Sequence, residues 1–187
     1  MTETPSMLHN SIGGIQQIGV GVADAPEAFR WYRHHMGMDI RIFEDVGTAS
    51  HMRAYTGDKA QARHAILAAN LQGGGALEIW QYTNREPLQP DFPVGLGDLG
   101  IFAARIKAKD VGRALEELQA AGLRVPNVPL QAPDGARHFF FTDPFGLTYQ
   151  VVEGREWFTK GKHITGGIDG CVIGVSDIEK SRSEGVV

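Results

Sequence analysis

Hydrophobic and polar positions alternate, turn helical and alternate again, and the cycle runs twice along the chain. Ile15 to Val22 interleaves β-formers with small residues and predicts a strand. Asp24 stands where an N-cap belongs, with Pro26 in the first turn, and Phe29, Tyr32 and Met36 recur at helical spacing until Gly37. Ile40 to Phe43 and His51 to Tyr55 read as the next strands, with turns at Gly47 and Gly57. The ARHAIL run from Ala62 and the LEIWQY run from Leu77 follow, which completes a βαβββ order near Tyr82.

Pro87, Pro90, Pro93, Gly95 and Gly97 exclude a helix or an internal strand between Thr83 and Asp98, so this stretch is read as a linker. After it the order restarts. A strand is predicted over 100–108, and Asp110 caps a helix that carries Val111, Ala114, Leu115 and Leu118 on one face, closed by Gly122. Residues 126–133 read as a loop. His138 to Thr142 and Leu147 to Glu153 then form a hairpin around the Asp143-Pro144-Phe145-Gly146 turn.

A third start appears near the end. Gly166-Gly167-Ile168, Gly174-Val175 and Asp177 fall in one register with Gly13-Gly14-Ile15, Gly21-Val22 and Asp24. The expected organisation is a flexible tail over 1–12, a first module over 13–84, a linker over 85–98 and a second module over 99–153. Residues 154–187 would be a linker and a truncated third start, as in a piece of a longer parent. Ile168, Val172 and Val175 give that start enough apolar surface to dock, so it is expected to pair with an edge strand of its own chain or of a second copy, the latter giving a homodimer. The final RSEGVV is expected to stay mobile.

Composition narrows the partners. A formal net charge of −4 and no Lys/Arg run argue against nucleic acid, and no apolar stretch approaches the ~18 residues of a membrane span. Cys171 is the single cysteine, which excludes an intrachain disulfide and a cysteine-based metal cluster. The first residues lack the pattern of a signal peptide, so a cytoplasmic protein with small-molecule or protein partners is expected.

Tandem βαβββ units, a V-x-D helix start, a glycine-ended helix and a unit closing on D-P-F-G followed by a β-run resemble the vicinal oxygen chelate superfamily. That superfamily includes glyoxalase I, extradiol dioxygenases and bleomycin- and fosfomycin-resistance proteins. The resemblance covers about residues 13–152 and implies an α+β fold: two modules forming a curved, barrel-like mixed sheet around a cavity, followed by an incomplete third module. It also implies a divalent cation held by one residue from the first strand and one from the last strand of each module. The internal repeat places Gln17, Glu78, Ala103 and Gln150 at those positions. Gln17, Glu78 and Gln150 are thus the implied metal ligands, though one carboxylate and two amides make a poor set for a transition metal.

Other side chains join them as candidates. Glu78 on an apolar strand needs a cation or donor, either at a site or on an arginine such as Arg53. Glu78 and His138 are the candidate catalytic residues. Trp80, Phe140, Gln17, Gln150 and His64 are the candidate substrate contacts. His64 and His138 follow matching Ala-Arg leads in the two modules, so both are expected to face the cavity or neither. His34 and His35 near a helix C-terminus read as structural. The functional reading is an apolar or aromatic small-molecule site between the modules. Its alternatives are a lyase, isomerase or ring-cleaving dioxygenase using a divalent cation at Glu78 and Gln17, and an inactive half of a longer four-module protein.

Overall fold

The computed structural model describes residues 14–88, 90–159 and 161–184. The first module comprises β1 (Gln17–Gly21), α1 (Ala25–His35), β2 (Ile40–Ala49), a 3-10 helix (Ser50–Tyr55), β3 (Gln61–Ala69) and β4 (Ala76–Tyr82). The second comprises β5 (Gly100–Ala108), α2 (Val111–Ala120), the two-residue β6 (Leu130–Gln131), β7 (Arg137–Thr142) and β8 (Thr148–Glu153). β9 (Thr165–Gly174) and α3 (Ile178–Ser183) follow. The strands form two mixed sheets, β1-β4-β3-β2 and β6-β7-β8-β5-β9, and neither closes into a barrel. No helix among the described residues is long and apolar enough to cross a membrane.

The three helix starts share one capping geometry. Asp24, Asp110 and Asp177 each accept a hydrogen bond from the backbone N–H three residues on, at 2.8, 3.0 and 2.9 Å. Each satisfies a donor that the first helical turn leaves without a partner, worth about 1 kcal/mol. Two segments depart from the sequence pattern. His51 to Tyr55 coils into the 3-10 helix instead of a strand, and β2 runs unbroken past Gly47, which pairs with Arg63. The long ladder with β3 overrides the local turn signal. In the second module β6 is only a stub, lying inside the segment expected to be a loop and paired with Arg137 and His138.

Alternation divides each sheet into two faces. Ile18, Val20, Ile66, Leu77 and Ile79 of the first sheet and Ala104, Ile106, Phe139, Tyr149 and Val151 of the second share one buried cluster with the helices. Ala28 and Tyr32 of α1 and Val111, Leu115 and Leu118 of α2 complete it. Each fully buried Val, Leu or Ile contributes roughly 1.5–3 kcal/mol. The intervening strand residues, Gln17, Gly19, Gly21, Glu78, Trp80, Arg105, His138 and Gln150 among them, fall on the opposite faces.

A polar junction ties the first helix to the second module's hairpin. The Tyr32 hydroxyl donates to Asp143 at 2.7 Å and accepts from the Tyr149 hydroxyl at 3.2 Å. The other Asp143 oxygen accepts from the Phe145 and Leu147 backbone N–H groups, which shapes the turn. Burial holds the Asp143 carboxyl above the ordinary carboxylate value and both phenols well above theirs.

β9 pairs antiparallel with β5, so the third start docks within its own chain. At its N-terminal end β9 also bridges to the first sheet through Gly75 and Ile168. The backbones approach so closely there that a Cβ on Gly167 would stand 2.4 Å from the Gly75 carbonyl oxygen. Side chains lock the crossing. The buried Asn70 and Gln72 amides donate to the Thr165 carbonyl at 3.0 and 2.8 Å, and the Thr165 hydroxyl donates to the Met36 carbonyl. Of the expected tail and RSEGVV ends, residues 1–12 and 185–187 lie outside the described residues, whereas Arg182 and Ser183 belong to α3.

Candidate functional site

Of the four positions taken from the resemblance, the fold joins two. Gln17 and Glu78 lie on adjacent parallel strands, and the Gln17 amide donates to the Glu78 carboxylate at 2.8 Å. Arg53, the alternative partner, pairs with Asp58 at 3.3 Å. Ala103 is fully buried and sits opposite Val172 of β9. Gln150 pairs with Arg105 and Phe140 in the second sheet.

The two candidate histidines are not equivalent. Glu78 pairs with Leu67, whereas Gln150 pairs with Phe140, so the ladders make Ala65, not His64, the counterpart of His138. The Ala-Arg-His match is therefore one residue out of register, and one residue is enough to change face. His64 points away from the Glu78 face and meets Glu44, Nε2 to Oε1, at 2.7 Å. His138 faces the Gln150 side and stands edge-on to Phe140, with ring centroids 5.7 Å apart. Phe140 in turn meets Phe102 at 6.0 Å.

Each exposed sheet face carries its own cavity. On the first, about 360 Å³ is lined by Gly21, Val22, Tyr55, Thr56, Trp80, Tyr82, Arg85, Pro87 and Leu88. Trp80 and Tyr82 meet edge to face at 5.9 Å, and the Arg63 guanidinium lies 5.1 Å from the Trp80 ring centroid. The Trp80 indole N–H is buried and has no partner among the described residues. Gly19 and Gly21 leave open space where side chains would stand, which makes a clear lane beside Glu78 and Trp80, their partners on β4. On the second face, about 400 Å³ has Arg105, His138, Gln150 and Val152 among its lining residues, and neither Gln17 nor Glu78.

A transition metal does not fit this donor set. Among the described residues no group of three or more His, Cys, Asp or Glu side chains could hold a metal ion. Glu78 is engaged by Gln17, Ala103 offers no donor, and the Gln150 amide is a weak ligand on the other face.

Arg105 is a cavity-lining residue that the sequence did not single out. Its signal was a cation within the IFAARIKA stretch of a predicted strand, two residues beyond Ala103 and, like Lys107, on the same face.

Residues 14–151 match the family model described as the Glyoxalase/Bleomycin resistance protein/Dioxygenase superfamily. No curated protein matches the chain. Among solved structures it is similar to a glyoxalase family protein from Bacillus cereus, with a TM-score of 0.62 at 12% identity over 79% of this chain and 98% of that one. A glyoxalase family protein from Enterococcus faecalis gives 0.50 at 17% identity over 75% and 98%. A glyoxalase I mutant from Zea mays gives 0.54 at 17% identity over 76% of this chain and 46% of that one. At these identities the structural likeness speaks for the fold alone. The family match spans both βαβββ modules, and the chain therefore belongs to the Glyoxalase/Bleomycin resistance protein/Dioxygenase superfamily.

Proposed function

We propose that the chain binds a flat, apolar or aromatic small molecule on the exposed face of its first module. The observation that carries this reading is the open lane over Gly19 and Gly21 beside the edge-to-face rings of Trp80 and Tyr82. The exposed Tyr55 and Leu88 at the cavity rim add apolar surface that water solvates poorly. The volume lies at the small end of ordinary ligand pockets, and the combination of aromatic walls with few polar groups is their usual make-up. Gln17 and Glu78 close the lane at its polar end, where a ligand hydroxyl could donate to the carboxylate.

The test is a titration with 2-naphthol followed by tryptophan fluorescence. Saturable quenching is expected, and Gly21→Leu, whose Cβ meets nothing within 4 Å and whose branched end reaches into the lane, should weaken it at least tenfold. Absence of saturation, or equal affinity in Gly21→Leu, defeats the reading.

A further inference from the structure

The second module's exposed face carries a separate and chemically different cavity. Arg105 is half-buried in the middle of β5, where Gln150 and Gly170 flank it on the neighbouring strands. Its Nε is fully buried and has no hydrogen-bond partner among the described residues, and the same holds for Nδ1 of His138. Both residues line the 400 Å³ cavity, with Gln150 between their strands on β8. No salt bridge among the described residues engages Arg105. That Nε has lost water without gaining an acceptor, a cost that a partner brought to the guanidinium would offset.

The rim narrows what that anion can be. Asp134, Glu153, Glu156 and Asp169 line the cavity together with Arg137 and Arg155, and all four carboxylates are exposed. A doubly charged phosphate entering past four carboxylates meets more repulsion than a singly charged group. The planar fork of Arg105 matches a carboxylate in two parallel hydrogen bonds. The amide of Gln150 and the imidazole of His138, which line the same cavity, can take up the remaining hydrogen bonds of the bound acid.

We propose that this cavity binds the carboxylate of a small organic acid, with Arg105 as its anchor and His138 and Gln150 as orienting contacts. The site is independent of the aromatic lane, from which it differs in face, lining and charge. Arg105 is then a residue held at a cost to folding for the sake of binding.

The full chain is titrated with sodium benzoate and, separately, with inorganic phosphate, by calorimetry and by the ring nitrogen resonances of His138. Benzoate should saturate, shift the His138 signals and raise the melting temperature, with phosphate at least tenfold weaker. Arg105→Met should abolish benzoate binding while the ligand-free variant melts no lower than the wild-type protein. Should that variant fail to fold, Arg105→Lys replaces it and is expected to bind benzoate at least tenfold more weakly, because the ammonium lacks the fork. Absence of saturable benzoate binding, a His138 resonance that ignores it, or undiminished binding in the variant that folds would each overturn the proposal. Phosphate binding as tight as benzoate would overturn the choice of a carboxylate.

Discussion

Tyr32, on the first module's helix, donates its phenolic proton to Asp143, in the second module's closing turn, across 2.7 Å. The two residues are 111 positions apart in sequence, and the bond is buried. Tyr32→Phe removes the donor and leaves a buried carboxyl oxygen short of a partner, which should cost about 1–3 kcal/mol in chemical denaturation. A loss within error of zero would mean that water enters and replaces the phenol.

The same carboxyl sets a pH dependence. Burial raises its folded-state value above 3.8 even though the hydrogen bonds from Tyr32, Leu147 and Phe145 pull it down. The folded protein therefore holds this proton more tightly than the unfolded chain. The resulting stability is fully present below the unfolded value and declines as pH rises through the folded one. Asp143→Asn keeps an acceptor for the turn and cannot titrate. The stability of the wild-type protein relative to this variant should fall as pH rises from about 3.8, the unfolded reference value. A difference that stays flat across the acid range contradicts the assignment.

Gly167 tests the crossing between β9 and the first sheet. An added methyl would collide with backbone atoms of Gly74 and Gly75, which cannot swing aside as a side chain can. Gly167→Ala should destabilise by about 1–3 kcal/mol, while Gly19→Ala, whose methyl meets nothing, should change thermal stability little. Equal melting temperatures for the two variants would show that the crossing is loose.

For zinc, the donor set predicts weak retention. Protein loaded with one equivalent and passed through a desalting column should keep less than about a tenth of it by elemental analysis, since one engaged carboxylate and separated amides make no tight site. Stoichiometric retention lost in Glu78→Ala would reverse this conclusion.

What could be read from the sequence follows the range of the interactions involved. The aspartate caps act within one helical turn, so the positions of Asp24 and Asp110 revealed two of them directly, whereas Asp177 was legible only through its register with Asp24. The faces of β7 were also legible, because Phe139 and Phe141 alternate with His138 and Phe140 over one short strand. The equivalence of His64 and His138 failed because a tripeptide match carries no information about which residue faces which across a ladder. The strand expected at His51 to Tyr55 failed because a ladder partner was missing, which no local pattern reveals. Asp143 was visible as a turn former but not as the acceptor for a helix in the other module.

β9 reaches its place on β5 through the eleven residues from Gly154 to Ile164, anchored on the way by Lys107 to Glu156 and by Gln72 to His163. A tether of this length presents a segment to its docking edge at an effective concentration on the order of a millimolar. The same segment from another molecule competes only when the protein itself is that concentrated. Strand exchange between two copies is therefore suppressed at ordinary protein concentrations by the short path back to the chain's own sheet.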